Sequence, residues 1–415
     1  MVAENFKIYG YRWVILLLFM GVIALNQLAW ITFASITGVA AKYYGVSDLN
    51  IGLLSMSFMV VYIFVSIPAS WVIDTYGFRT AVSIGALLTG VFGLTRGLAG
   101  DSYTLVLVSQ IGIAVGQPFI LNALTKVAAR WFPIQERATA SGLGSLAMYL
   151  GIGIGMMLTP WLVLNYSINS TLLIYGITAL VAASLFLVFS REHPPTPASP
   201  PGQEERSLVF DGLKKMIRMR DFLLLMAIFF IGLGVFNSVT TWIEDILRPR
   251  SFSILQAGVI GGIMVVGGIL GALVVPLLSD RYRRRVPFIV VSLAAATFGL
   301  VGITFLENYT LLMISAFVMG FFLLSAGPIG FQYGAEITYP APEGTSNGIL
   351  LMMGQISGIM FILVMDSIKN PETGSMTASL LILAGLMIVG LLLATRLKEA
   401  QLLVGEFSGN DNLDD

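Results

Sequence analysis

"EITYPAPEGTSNG", residues 336–348, interrupts two long apolar runs. "LLMISAFVMGFFLLSAGPIGFQYGA" precedes it and "ILLMMGQISGIMFILVM" follows it. Each flank approaches or exceeds the roughly 20 apolar residues that a helix needs to cross a bilayer. Two prolines, two acids and a Thr-Ser-Asn cluster between such runs mark a connection lying in water.

The same alternation runs through the chain. Of 415 residues, 56% are hydrophobic and 11% charged, against about 25% charged in a soluble domain. Apolar runs between charge or proline breaks number twelve, near 13–37, 50–73, 79–100, 103–129, 138–163, 168–190, 221–246, 255–279, 286–305, 309–334, 344–367 and 375–396. A membrane-spanning sheet would give weaker, alternating segments. The expected fold class is an all-α membrane protein with twelve transmembrane helices. The first run is long, lacks a small-residue cleavage site and leads into further spans, so no cleavable signal peptide is expected. Cysteine is absent, which excludes disulfides and cysteine metal sites.

The net charge is zero, but the charge is unevenly placed. With a cytoplasmic N-terminus, 18 of the 23 Lys and Arg fall on cytoplasmic segments. Lys42, Arg96, Arg248, Arg250 and Lys369 fall outside. The positive-inside rule then puts both termini in the cytoplasm, and the inner, plasma membrane is the expected location. Residues 191–220 open on the Pro-rich "REHPPTPASPPGQEERS" and continue as "LVFDGLKKMIRMRD". These read as a flexible linker and a basic amphipathic helix at the membrane surface. The expected organisation is a six-helix bundle over 1–190, that linker, a second six-helix bundle over 221–396, and a cytoplasmic tail over 397–415.

The halves repeat each other. "WVIDTYGFRT" (71–80) follows the second span and "LLSDRYRRRV" (277–286) the eighth, with Asp74 and Asp280 206 residues apart. "RWFPIQERATASG" (130–142) echoes the opening stretch, with Pro133 and Pro340 207 residues apart. A duplicated six-span unit is the plan of major facilitator transporters. The Asp-x-x-Gly-x-Arg run resembles their signature loop. Acids and arginines at helix ends can form a charge network that breaks when the halves rock. Asp74, Arg79 and Arg137 in the first half are the gating candidates, with Asp280, Arg284, Glu336 and Glu343 in the second. Topogenic positive charge alone is the other reading.

"GPIGFQYGAEITYPAPEGTSNGILLMMGQISGIMF" carries a narrower resemblance, to the feline leukemia virus subgroup C receptor family, solute carrier family 49. Its members have a "PLGFE…EITYP…EGTSSG…AQI.G" run at this place. "LAWITF", "IPASWVIDTYGFR" and "GQPFI…ARWF" match as well. Members are linked to choline and ethanolamine, to haem and to pyridoxine, so the resemblance implies a small-molecule carrier. Family choline sites use a Trp on helix one, a Tyr on helix seven, and Gln on helices five and eleven. Trp30 and Gln355 match the first and last. Tyr149 stands at the helix-five glutamine, and Asn237 or Phe236 at the helix-seven tyrosine.

Carrier sites lie near the midplane, where polar groups within spans are functional candidates. Trp30 is mid-span, where its ring face can hold a desolvated cation at up to about 2 kcal/mol. Asn26 and Gln27 are one turn away on span one, and Gln117 is on span four. Interhelix hydrogen bonding is the competing role for Asn26 and Asn122. Glu244 and Asp245, near the outer end of span seven, have two readings: they attract a cationic solute at the mouth or, as favoured, pair with Arg248 at the surface. No Asp, Glu or His lies deep in spans one, four, five, eight or ten, which favours facilitated diffusion over proton coupling. It also disfavours haem, whose axial ligands would have to be Met or Tyr.

The expected activity is therefore alternating-access transport of an amine or quaternary ammonium solute such as choline or ethanolamine. The alternatives are a neutral polar solute such as pyridoxine or a sugar, or haem, with proton coupling possible in either case. "GIGIG" follows no strand and is not a dinucleotide loop. No catalytic, metal or cofactor site and no nucleic-acid partner is expected. The partners are a small-molecule solute and the lipid bilayer, and the superfamily expectation is a monomer.

Overall fold

A computed structural model of the protein describes residues 8–196, 216, 218–338 and 343–399. Among these, twelve helices are long and apolar enough to cross a membrane. They fall into two compact units.

The first unit comprises Met1–Glu204, Thr241–Asp245 and Ser253–Gly258. Its spans are Arg12–Ile31, Asp48–Tyr76, Phe78–Gly97, Tyr103–Trp131, Ile134–Asn165 and Ile168–Phe189. Hydroxyls start three of these helices. Ser47, Ser102 and Ser167 accept from the backbone N–H groups of Asn50, Leu105 and Ser170 at 3.3, 3.4 and 3.0 Å, each filling a donor with no partner inside the helix. Span three packs between spans four and six, and span one packs on span five. Phe19, Phe78, Phe132 and Phe186 fill the core on the linker side. Phe33, Tyr44 and Leu54 belong to a second buried cluster. A side chain at residue 151 would overlap the carbonyl oxygen of Ala24, so glycine there sets how closely spans one and five approach.

The second unit comprises Glu205–Thr240, Ile246–Phe252 and Val259–Asp415. Its spans are Arg220–Thr241, Ile254–Tyr282, Val286–Phe305, Tyr309–Thr338, Glu343–Ile368 and Thr377–Ala394. Span nine packs on spans ten and twelve. Any side chain at Gly320 would overlap the Met264 carbonyl.

Several boundaries differ from the sequence expectation. Span one stops at Ile31, and Thr37–Tyr44 forms a separate helix. "ITFASITG" is rich in β-branched and hydroxyl side chains, which weaken a helix and compete for its backbone. Span four breaks between Leu121 and Leu124, behind Pro118. Asp74 and Asp280 lie inside the last turns of spans two and eight rather than in loops. The opening polar stretch is mostly helix: span ten runs to Thr338 and span eleven starts at Glu343. Polar residues at span ends stand in water, so hydropathy trims the helix there. The expected amphipathic linker helix lies almost wholly outside the described residues.

Two corrections concern charge. Arg96, counted among the outer charges, lies in the last turn of span three as expected but is buried, 1% exposed. Glu244 and Asp245 are buried rather than at the surface. The Glu244 carboxylate accepts from the Gly38 N–H at 2.9 Å, at the start of the Thr37–Tyr44 helix, where a negative charge is favoured.

Candidate functional site

The end of span one organises the candidates of the first unit. A helix leaves its last four carbonyls without partners inside the helix; here they belong to Leu28, Ala29, Trp30 and Ile31. Thr32 Oγ1 donates to Leu28 O at 2.7 Å. Arg96 Nη1 and Gln110 Nε2 donate to Ala29 O at 3.0 and 3.2 Å. Ser55 Oγ donates to Trp30 O at 3.4 Å, and Ala34 N to Ile31 O at 3.0 Å. Trp30 is also fixed through its ring, since Nε1 donates to Ser55 O at 3.1 Å.

The neighbouring amides divide by what they bond. Asn26 Nδ2 donates to Thr89 Oγ1 at 3.0 Å and to Ile113 O at 3.4 Å, tying spans one, three and four. Gln27 is 3% exposed, and its buried Nε2 has no hydrogen-bond partner among the described residues. Gln117 is buried and Tyr149 half-buried; neither makes a hydrogen bond to a described residue. Asn122 joins spans two and four: Tyr62 Oη donates to its Oδ1 at 2.8 Å, and its Nδ2 donates to Ser66 Oγ and Ser70 Oγ at 3.0 and 3.1 Å.

In the second unit, Asn237 Nδ2 donates to Gly354 O at 3.2 Å. This ties span seven to span eleven beside Gln355, which is half-buried and makes no hydrogen bond to a described residue. Phe236 lines a different surface, an apolar cavity shared with Phe229, Leu293, Leu323 and Gly327.

The gating candidates form separate groups in each unit. Asp74 pairs with Lys126 at 3.5 Å, not with Arg79. Arg79 instead donates from Nη2 to Leu187 O at 3.2 Å. Arg137 donates to Phe132 O and Ala129 O at 3.3 and 3.2 Å. In the second unit the hub is Arg285, which the sequence reading passed over, rather than Arg284. It pairs with Asp280 and with Glu336 at 3.0 Å. Burial lowers the Arg285 pKa, but the hydrogen bonds and charges of Glu336 and Asp280 outweigh this and hold it above its ordinary value. Gln332 adds a bond to Glu336 at 3.1 Å. Span eleven begins at Glu343, whose side chain lies outside the described residues. Glu136, 207 residues earlier, pairs with Arg12 at 3.1 Å.

One feature repeats in both units. Glu192, after span six, accepts from the N–H groups of Phe78 and Arg79 at 3.2 and 2.7 Å. Glu399, after span twelve, accepts from Arg285 N at 3.1 Å and Val286 N at 3.0 Å. Each member of this set is 207 residues from its counterpart. In both units a carboxylate caps the N-terminus of the third helix, where exposed N–H groups and the helix dipole favour an anion. The 206–207-residue repeat was the available signal for this pair.

Residues 14–362 match the family model described as Major Facilitator Superfamily. Solute carrier family 49 member A3 of Danio rerio is 32% identical over 89% of this chain and 81% of that protein. The choline/ethanolamine transporter flvcr2b of Danio rerio is 30% identical over 92% of this chain and 83% of the relative. For the human choline/ethanolamine transporter FLVCR2 the figures are 29%, 86% and 71%. Among solved structures, a bacterial homologue of the human lysosomal transporter Spinster aligns with a TM-score of 0.73. It is 16% identical and covers 94% of this chain and 98% of its own. The nucleoside transporter NupG aligns at 0.72 and 16% identity, covering 93% of this chain and 100% of its own.

Proposed function

Since the chain belongs to the major facilitator superfamily and, within it, to solute carrier family 49, we propose that this membrane transporter carries a small amine or quaternary ammonium solute such as choline or ethanolamine. Its solute-binding groups are then Trp30, Gln27, Gln117 and Tyr149 in the first unit, and Asn237 and Gln355 in the second. The observation that carries the reading is Gln27, whose buried amide N–H lacks a partner one helical turn from Trp30. An unsatisfied buried donor costs about 1–3 kcal/mol, which a bound hydroxyl would relieve. Asn26, by contrast, acts as an interhelix tie. Relatives named as choline/ethanolamine transporters supply the solute class.

Movement by uniport follows from the lack of a deep acid or His in spans one, four, five and eight. The charge asymmetry supports a plasma-membrane protein with both termini cytoplasmic, built as two six-span bundles with a cytoplasmic linker at 191–220 and a tail from 397. We take the carrier to be a monomer.

A neutral polar solute such as pyridoxine is the second reading, and Arg96 favours it. Its buried guanidinium repels a cation held in the same unit, the more so where the local dielectric is low. Counterflow in proteoliposomes with labelled choline, ethanolamine and pyridoxine separates the readings. Choline exchange with a KM raised about tenfold in Gln27→Ala, one lost hydrogen bond, is the expected result. Pyridoxine exchange without choline exchange would replace the amine reading with the neutral one.

A further inference from the structure

Arg96 places a guanidinium in the apolar interior of the first unit. A charge there is expensive unless bonded or paired, and no carboxylate among the described residues pairs with it. Nη1 donates to Ala29 O at 3.0 Å and to Gln110 Oε1 of span four. The guanidinium carbon lies 5.7 Å from the Phe33 ring centroid. Nε and Nη2 have no hydrogen-bond partner among the described residues.

A neutral amide could tie the same helices without the desolvation cost. What arginine adds is a charged donor, whose hydrogen bonds are about twice as strong as neutral ones. The acceptor it holds is the carbonyl next to Trp30, in the last turn of span one. Gln110 completes the clamp, since its Oε1 takes Arg96 while its Nε2 takes the same Ala29 oxygen at 3.2 Å. Trp30 is thus held on two sides: by Ser55 of span two through its own carbonyl and indole N–H, and through Ala29 by spans three and four.

We propose that Arg96 is a positioning residue for solute binding: together with Gln110 it fixes the Ala29 carbonyl and thereby sets the Trp30 indole. This rests on the assignment of Trp30 to the solute site. A plain bundle tie would give Arg96 a structural role only, and the two differ in what they do to one tryptophan.

The test uses the full chain labelled with 5-fluorotryptophan. The six tryptophans give fluorine resonances among which Trp30→Phe identifies Trp30. In Arg96→Gln the Trp30 signal is expected to move while those of Trp71 and Trp161 stay. Choline counterflow by Gln110→Ala, which leaves the Arg96 charge in place, should show a KM raised about tenfold with a maximal rate within about twofold. Arg96→Lys, which keeps a charged donor, should return the Trp30 signal part of the way. An unmoved Trp30 resonance in the folded Arg96→Gln protein would overturn the proposal. So would equal displacement of all resonances with rate and affinity falling together. If Arg96→Gln does not fold, Gln110→Ala decides, because it keeps the charge and removes half the clamp; an unmoved Trp30 signal there is equally fatal. A wild type that moves no choline would count against the solute reading, while the fluorine spectra still judge Arg96.

Discussion

Glu336→Gln should be far more damaging than Asp280→Asn, although both acids pair with Arg285. Glu336 is 10% exposed at its side chain, Arg285 9% and Asp280 60%. Opposite charges about 4 Å apart attract by about 4 kcal/mol at an effective dielectric near 20. Removing one partner of a buried pair costs about 3–5 kcal/mol, because the other is left uncompensated. Asp280 and Ser279 still bond Arg285 in the variant, so the lower end, about 3 kcal/mol, is expected. The solvent-exposed Asp280 arm is worth at most about 1 kcal/mol. A domain of this size shifts by about 2–4 °C per kcal/mol. Thermal unfolding followed by circular dichroism in detergent should therefore fall by about 6–12 °C for Glu336→Gln and by at most about 4 °C for Asp280→Asn. Titration of Arg285 does not blur the comparison. Its raised pKa gives stability that is fully present below its unfolded value, far above neutral pH, and lost only as pH rises through the folded one. An Asp280→Asn loss equal to or above that of Glu336→Gln would refute the reasoning, because burial would then not be what decides the strength of the pair.

Other outcomes follow from the same structure. Glu192→Ala and Glu399→Ala should each cost about 1–2 kcal/mol as lost helix caps, and similar amounts, since the two carboxylates make matching bonds; a thermally silent variant would show that its cap is not formed. Gly320→Ala should destabilise by about 1–3 kcal/mol through overlap with the Met264 carbonyl. Gly385→Ala, where an added Cβ meets nothing within 4 Å, should stabilise span twelve by up to about 1 kcal/mol; the opposite order in thermal melts would contradict the packing. Asn122→Ala removes bonds to Tyr62, Ser66 and Ser70 and should lower stability by about 2 kcal/mol without changing which solute is exchanged in counterflow.

The number of spans, their order and the duplication were legible in the chain because bilayer length and the 206–207-residue offset are one-dimensional signals. The polar stretch at 336–348 announced its place between two spans for the same reason. What it hid was how much of it is helix, since a helix end standing in water looks like a loop to any hydropathy reading. The burial of Arg96 was hidden for the converse reason: a lone charge near the end of an apolar run reads as an interface residue. Only the packed helices bring Gln110 and Ala29 to it. The same holds for the amides. Asn26 and Gln27 are neighbours of like chemistry, and sequence offers both as ligands. Thr89 and the Ile113 carbonyl, 63 and 87 residues away from Asn26, take up its amide nitrogen, while its Oδ1 and the Gln27 Nε2 meet no partner among the described residues. Composition and period determined the fold; which polar atoms remain free for a solute was decided by contacts distant in the chain, because hydrogen bonding depends on which atoms tertiary packing brings within about 3 Å.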